Sequence, residues 1–247
     1  MSRLTKLLRS IVSMKQGSMK NSFFNNSNTS LGSARYPRGY WIKAGAESVT
    51  LCRNLKVLGG PALGTTGFTG SMFLNVQDRI ASYNSSIIFD DSTGTWINYL
   101  DSGSGSAWDP RGTIHHELTH AVDHHVPGFI TFFDPEWGKL NYPGFQYGNS
   151  YDPKNPPVEI VHNMNPVPGF VSYYATERHI EDRAEIGRAT MARRSTYNRL
   201  VRICQTDPIV AAKVRKTVSE WNQFWPFPGA ENTEWKTRMI QAEQDCR

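Results

Sequence analysis

The stretch that decides the fold is WDPRGTIHHELTHAVDHHVPG, residues 108–128. Asp109 is a good N-cap, and Pro110 suits the first position of a helix, where the missing N–H of proline costs nothing. The Val-Pro-Gly run at 126–128 stops a helix. The pattern therefore predicts a helix over about residues 110–125.

Inside this predicted helix, residues 116–120 read His-Glu-Leu-Thr-His. Four residues make slightly more than one helical turn, so His116 and His120 project from one face and can share one Zn²⁺. Glu117 lies next to the first imidazole, where its carboxylate can take a proton from a water on the metal and pass it to a leaving amine. The motif thus predicts a zinc site with a general base beside it.

The same segment carries three further histidines, His115, His124 and His125. Ligands at 116, 120 and 124 of a straight helix would span about 12 Å along its axis, too far to meet at one ion. His124 is therefore expected to be a surface residue or a support for a ligand. Mostly structural roles are expected for the remaining histidines of the chain, His115, His125, His162 and His179.

A catalytic zinc needs a third protein ligand and one open position. The later segment SYYATERHIEDRAEIGRA, residues 172–189, offers Glu177, Glu181 and Glu185. Their four-residue spacing places all three on one helix face. Such a row is usually a solvated face, and helix geometry leaves all three open as ligands.

Two blocks, HELTHAVDHH at 116–125 and YATERHIEDRAE at 174–185, together resemble the anthrax lethal factor-type branch of the gluzincin metallopeptidases. That family pairs an HExxH helix carrying Ala-Val/Ile-Asp with a later Tyr-x6-Glu-x3-Glu block. The resemblance implies a catalytic zinc, one per chain, and a specific set of site residues. It implies His116, His120 and Glu181 as zinc ligands, Glu117 as the base, Tyr174 as the oxyanion stabiliser, and Asp123 and Glu185 as supports that orient the histidines.

The resemblance covers roughly residues 111–125 and 172–190. The chain departs from the family pattern at Thr119, where glycine is usual, and at Arg183, where an aromatic residue is usual. Thr119 is expected to alter how the motif helix packs beneath the site. Thermolysin-type enzymes also contain HELTHAV, but their Asn-Glu-x-x-Ser-Asp motif has no counterpart shortly after His120.

Short strand-like runs precede the motif and helical periodicity follows it. The runs lie at 48–58, 71–77, 84–90 and 95–100, with turn residues between them that include 59–70; the helical segments lie at about 177–194, 208–224 and 232–245. Strands first and helices afterwards indicate an α+β domain. With the resemblance, this order predicts a zincin-like metallopeptidase domain, in which a small mixed sheet packs on the motif helix and further helices follow.

Charge and composition divide the chain. Eight of its 27 basic residues lie in residues 1–46, which contain no acid, and the rest carries all 22 acids. We therefore interpret residues 1–35 as a basic, Ser/Asn-rich arm and residues 36–247 as the catalytic domain. Residues 126–170 hold eight of the fourteen prolines and many aromatics, which is typical of a lid loop.

The expected function is a zinc-dependent endopeptidase of the bacterial toxin or effector type, secreted or delivered into a target cell, with a protein or peptide as substrate. The alternatives are a housekeeping or cell-wall-processing metallopeptidase, and a catalytically silent zincin domain used for binding. The acidic body disfavours nucleic acid, and no apolar run is long enough to span a membrane. Residues 1–20 form a basic amphipathic pattern suited to a membrane surface or a delivery machinery. Three cysteines allow at most one disulfide, and the sequence leaves its pairing open.

Overall fold

The architecture is that of a computed structural model. It describes residues 35–46, 48–52, 55–57, 60–62, 64–67, 71–75, 87–90, 95–98, 110–126, 134–148, 167–172, 174–192 and 194–247. Within these ranges, no helix combines the length and the apolar character needed to cross a membrane. Except for Arg35, the expected N-terminal arm lies outside the described residues, so its boundary and role stay predictions.

In the described residues before the motif helix, the strands are β1 (Ser48–Cys52), β2 (Lys56–Val57), β3 (Gly60–Pro61), β4 (Gly64–Thr66), β5 (Ser71–Asn75), β6 (Ile87–Asp90) and β7 (Thr95–Asn98). The central sheet has the order β1-β5-β4, with β1 parallel and β4 antiparallel to β5. The strands β2 and β3 form one two-stranded sheet, and β6 and β7 form another. The expected small mixed sheet is confirmed.

Two short strands differ from the sequence-based expectation. The pattern of 59–70 predicts a turn, yet Gly60–Pro61 forms β3 against β2, and Gly64–Thr66 forms β4, which pairs in register with β5. Glycine and threonine between further glycines lack a strand pattern of their own, so only the pairing partner makes this segment a strand. The difference matters because β4 packs on the motif helix.

A short helix, α1 (Tyr40–Lys43), comes before the strands. The other helices occupy most of the described residues from 110 onward. They are α2 (Pro110–Asp123), α3 (Pro135–Gly138), α4 (His179–Met191), α5 (Arg194–Thr206), α6 (Pro208–Phe224) and α7 (Glu234–Asp245). The motif helix α2 and the three later periodic segments are confirmed. Helix α5 was missed, although Tyr197, Leu200 and Cys204 form a buried stripe at helical spacing. With its strands before its long helices, the domain is α+β, as predicted.

The two helices that carry the motif blocks, α2 and α4, cross at very close range. A Cβ added to Gly187 on α4 would lie 2.0 Å from Oγ1 of Thr119 on α2. That hydroxyl donates to the carbonyl of His115, at 2.8 Å, and is thereby held in place. The small residue at this crossing therefore lies on α4, opposite the threonine of α2.

A buried aromatic cluster joins the start of the described chain to its end. The ring of Tyr40 packs against Phe224 and Trp235, with ring centroids 5.0 and 5.3 Å apart. Arg35 binds the same end of the molecule, since its guanidinium lies 3.3 Å from the carboxylate of Glu234 and donates to the carbonyl of Met191. Residue 35 thus belongs to the packed body.

A disulfide between Cys204 and Cys246 closes the C-terminal helices, leaving Cys52 as a free thiol. Both bonded cysteines are buried. The crosslink spans 42 residues and encloses α6 and α7. A crosslink of this span stabilises the fold chiefly by restricting the unfolded chain.

The contact between Thr119 and Gly187 predicts how stability changes when glycine is removed from α4 or placed on α2 instead. Gly187→Ala should lower the free energy of unfolding by about 1–3 kcal/mol, the usual cost of overpacking, although alanine is favoured over glycine inside a helix by about 1 kcal/mol. The double variant Thr119→Gly with Gly187→Ala should recover most of that loss. Urea denaturation measures both.

Gly138→Ala is the matched control, because a Cβ at Gly138 meets nothing within 4 Å. It should change stability by less than about 0.5 kcal/mol, as most surface substitutions do. Equal stability of Gly187→Ala and the wild type would show that the helices do not meet as closely as described.

The disulfide predicts a separate stability difference. Replacing Cys204 and Cys246 together by alanine should lower the free energy of unfolding by about 3–4 kcal/mol, from the entropy of the loop. Urea denaturation under oxidising and reducing conditions measures it, and only the wild type should respond to the reductant. Cys52→Ser is the control and should retain the response. A wild type unaffected by full reduction would contradict the prediction.

Candidate metal centre

Three potential ligand atoms converge where α2 faces α4. Nε2 of His116 lies 3.1 Å from Nε2 of His120 and 3.0 Å from Oε2 of Glu181. Nε2 of His120 lies 3.5 Å from the same carboxylate oxygen. Among the described residues, these three form the group that could hold a metal ion.

The size and chemistry of this triangle fit zinc. A tetrahedral zinc with ligands at about 2.0–2.1 Å places its ligand atoms about 3.3–3.4 Å apart. The three observed separations, 3.0, 3.1 and 3.5 Å, lie close to that value. Two imidazole nitrogens and one carboxylate oxygen are also the donor types that catalytic zinc sites use.

Glu185, one turn after Glu181, orients the first imidazole. Its Oε1 lies 3.0 Å from Nδ1 of His116. Arg188 donates to both oxygens of the same carboxylate, at 3.1 and 3.3 Å. A proton on Nδ1, donated to Glu185, leaves the lone pair of Nε2 facing the triangle, as a metal-ligating imidazole requires. The position of Glu185 therefore matches the supporting role that the resemblance implied.

The electrostatics of the triangle favour positive charge. Burial lowers the pKa of His116, but hydrogen bonds to Glu181 and Glu185 outweigh it and raise the pKa to about 10. Burial raises the pKa of Glu181, and the hydrogen bonds from the two imidazoles outweigh it and hold the pKa well below its usual range. A proton and a metal ion thus compete for the same place between these three groups.

Glu117, the expected base, is buried on α2 and held by the edge strand β4. Oγ1 of Thr66 lies 2.7 Å from Oε2 of Glu117 and 3.0 Å from the Glu117 carbonyl oxygen. A Cβ at Gly64 would lie 2.6 Å from Oε1 of Glu117. Sequence reasoning missed both Gly64 and Thr66, since neither carries a motif and the stretch resembled a turn.

Tyr174 lies in a 3₁₀ turn, Tyr174–Thr176, just before α4. Its ring centroid is 5.9 Å from that of His116. Burial, and then the charges of Glu181 and Glu177, raise the pKa of the phenol above its ordinary value. The hydroxyl therefore keeps its proton beside the triangle, where its hydrogen-bond partner is Glu181.

Asp123, expected to orient a histidine, contacts a different residue. Its two oxygens accept from Nε and Nη2 of Arg183, at 3.0 and 2.9 Å. Arg183 also donates to Asp134 and Glu220, at 2.8 and 2.7 Å. The departure from the family pattern at Arg183 is thus coupled to Asp123, and the pair ties the end of α2 to α4.

Asp182, between Glu181 and Arg183, anchors part of the expected lid. Its Oδ2 accepts from Nε1 of Trp137 and from the hydroxyl of Tyr147, both at 2.8 Å, and lies 2.6 Å from Nζ of Lys213. Trp137 and Lys213 are fully buried. Residues 134–148 are therefore packed onto α4 through the position that follows the third ligand. The rest of the expected lid, 127–133 and 149–166, lies outside the described residues.

The remaining sequence candidates are not members of the triangle. His115 is buried, where the Tyr36 hydroxyl and the Arg35 guanidinium lie 2.8 and 3.1 Å from its two ring nitrogens, as suits the expected structural role. His124 and His125 are exposed. Glu177 precedes α4 and is outside the three-residue group. The structure thus brings together Glu181 and the two histidines of the motif.

Comparisons with known proteins add little to this geometry. No family model matches the chain, and no curated protein matches it. A crystal structure from Bacteroides caccae ATCC 43185, described as a candidate zinc-binding metallo-peptidase, is similar with a TM-score of 0.45 and 13% sequence identity, over 98% of this chain and 76% of that chain. A similarity this low does not transfer a function, so the functional argument depends on the residues of this chain.

Proposed function

We propose that the protein is a zinc-dependent peptidase that hydrolyses peptide bonds in a protein or peptide substrate. The observation that carries the proposal is the convergence of His116, His120 and Glu181 next to the buried carboxylate of Glu117. Three ligands leave a fourth position of a tetrahedral ion open for water or substrate, which is the arrangement of catalytic zinc sites.

Each residue has a defined task in this proposal. His116, His120 and Glu181 would hold the ion, and Glu185 would keep the lone pair of His116 directed at it. When bound, zinc would supply a Lewis acid for the scissile carbonyl and lower the pKa of the attacking water. Glu117 takes the proton of that water and delivers it to the leaving amine. Tyr174 donates a hydrogen bond to the negative charge that develops on the carbonyl oxygen.

A catalytically silent zinc domain is the competing function. A purely structural zinc usually has four protein ligands, whereas the group in the described part of the chain has three. A structural site also has no use for a carboxylate kept buried beside it, as Glu117 is at 4% exposure. Both features support catalysis.

The finer assignment, a toxin- or effector-type protease that is secreted or delivered, depends on the resemblance of the two sequence blocks and on the basic arm of residues 1–35. The alternative assignment, a housekeeping or cell-wall-processing peptidase, would use the same site residues. Digestion of a mixed peptide library, beside intact host proteins and purified cell-wall peptides, tests this choice. Cleavage confined to cell-wall peptides would contradict the toxin assignment.

The third ligand gives a direct prediction on metal content. The wild type should hold about one zinc per chain, and Glu181→Ala should lower zinc affinity by orders of magnitude, since it removes one of only three ligands. Glu185→Ala should lower it about 10–100-fold, as for residues that orient a ligand. Competition with a chromogenic chelator measures both.

Glu177→Ala is the matched control, because Glu177 lies one four-residue step before Glu181 in the sequence and outside the ligand group. It should keep its zinc. If Glu185→Ala released the metal while Glu181→Ala retained it, the ligand assignment would be shifted by one helical turn.

The proposed base and the proposed oxyanion donor predict loss of turnover with the metal retained. Glu117→Gln should keep zinc and fold but abolish hydrolysis, since an amide cannot take the proton. Tyr174→Phe should lower turnover about 10²–10³-fold, the scale of one oxyanion donor. Zinc content, melting temperature and turnover of a library-derived peptide are measured together.

Tyr142→Phe is the control for Tyr174→Phe, because Tyr142 is an exposed tyrosine in the lid segment. It should keep wild-type turnover. Full activity of Glu117→Gln would mean that another group is the base.

A further inference from the structure

The general base is almost fully enclosed. Glu117 is 4% exposed, its carboxylate contacts β4, and its charge acts on His116 of the metal triangle. A buried carboxylate is unstable without hydrogen-bond donors, and a carboxylate on a flexible side chain has several rotamers. Whatever contacts the two oxygens of Glu117 therefore decides which way the group faces.

Thr66 makes the contact to the first oxygen. Its hydroxyl lies 2.7 Å from Oε2, the usual distance of an O–H···O hydrogen bond. The same hydroxyl lies 3.0 Å from the backbone carbonyl of Glu117, so its one proton makes a bifurcated contact with the side chain and the main chain of one residue. This contact restricts the rotation of the Glu117 side chain.

Gly64 makes room for the second oxygen. A Cβ built at this position would lie 2.6 Å from Oε1 and 3.0 Å from Cγ of Glu117. It would also lie 2.8 Å from Cγ2 of Thr113, one turn earlier on α2. Real Cβ atoms do not approach that closely, so any larger residue at 64 would displace the carboxylate.

The position of β4 is itself set by the sheet. Gly64 pairs with Leu74 of β5, and Thr66 pairs with Met72. Both β5 partners are fully buried in the core. Because alternate residues of a strand share a face, Gly64 and Thr66 both face α2, while Thr65 between them faces the other side.

We propose that β4 is the positioning element for the general base of this enzyme. Thr66 holds one oxygen of Glu117, and the missing side chain of Gly64 leaves space for the other, so the carboxylate keeps a single orientation at the metal centre. Thr66 acts through Glu117 and is a positioning residue. The inference depends on the proposed function, in which Glu117 moves the proton.

The direct test compares Thr66→Val, Thr66→Ser and Thr65→Val in the full-length, zinc-loaded protein. Valine keeps the shape of threonine and removes the hydroxyl, so Thr66→Val should lower kcat about 10–100-fold, as for partners of catalytic groups. KM and zinc content should change little, and the melting temperature should fall by a few degrees, since one hydrogen bond to a charged group is lost. Thr66→Ser restores the hydroxyl and should recover most of kcat, which lost packing alone would not explain.

Thr65→Val is the matched control, with the same chemical change one residue away on the opposite face of the strand. It should keep wild-type kcat and KM. Gly64→Ala should lower kcat at least as much as Thr66→Val while retaining zinc, since it displaces Glu117 without touching His116, His120 or Glu181.

A second measurement is independent of hydrolysis. In a double-mutant cycle of Thr66→Val and Glu117→Ala, the equilibrium constant for unfolding in urea, at one fixed zinc concentration, should show a coupling of about 10–100-fold. That factor corresponds to one hydrogen bond to a charged group. Additive effects would show that Thr66 does not hold the carboxylate and would overturn the inference.

The outcomes separate the inference from the proposed function. If the wild type hydrolyses peptides and Thr66→Val has wild-type kcat, the positioning role is wrong and the peptidase assignment stands. A zinc-loaded wild type that cleaves no peptide overturns the peptidase assignment, and with it the catalytic part of the inference. Loss of kcat in Thr66→Val that Thr66→Ser does not recover also contradicts the inference.

Discussion

The close crossing of α2 and α4 at Thr119 and Gly187 is the contact on which the metal site depends. His116 lies three residues before Thr119, so it stands one turn from the point of closest approach. Glu185 and Glu181 lie two and six residues before Gly187 and reach the same imidazole from opposite sides, at Nδ1 and Nε2. If the helices moved apart by the width of a methyl group, the carboxylates would no longer reach the imidazole at hydrogen-bonding distance. The absence of a side chain at Gly187 thus lets a carboxylate of the facing helix join the two histidines of the motif, in a group that could hold a metal ion.

Beside this crossing, buried charged side chains also join the helices. Arg183, 3% exposed, contacts Asp123, Asp134 and Glu220, so it joins α2, the segment 134–148 and α6 to the first turns of α4. Buried ion pairs contribute little net stability, but removing one partner leaves uncompensated charge and costs several kcal/mol. These ion pairs favour one arrangement of the segments, because carboxylates on three segments must meet one planar guanidinium. They therefore restrict the position of α4 along α2 more than apolar contacts alone would.

Much of this site could be predicted from the sequence, and the exceptions share one physical cause. His116, Glu117 and His120 follow from helix spacing, which is a local property of the chain. Glu181 required the resemblance to choose among three equally spaced glutamates, and the contacts with both imidazoles support that choice. Asp123 was expected to orient a histidine, yet it lies within reach of Arg183, sixty residues later, which no local pattern reveals. The strand β4 was missed for the same reason, because Gly64–Thr66 is a strand only through its pairing with β5. Residue roles that depend on spacing within one helical turn could be predicted from the pattern. Contacts and strand pairings with a segment distant in the sequence could not.

Charge balance explains why a divalent cation suits the site so well. Around the two imidazoles stand the carboxylates of Glu117, Glu181 and Glu185, and the guanidinium of Arg188 offsets one of them. Two negative charges then remain in a largely buried space, where unbalanced charge is far more costly than in water. A proton on His116 cancels one of these charges, which is consistent with its raised pKa of about 10. A divalent ion between the three ligand atoms cancels both. The same carboxylates that favour a proton on His116 therefore favour zinc more strongly. Glu181 and Glu185 both contact the His116 imidazole, whereas Glu117 contacts Thr66.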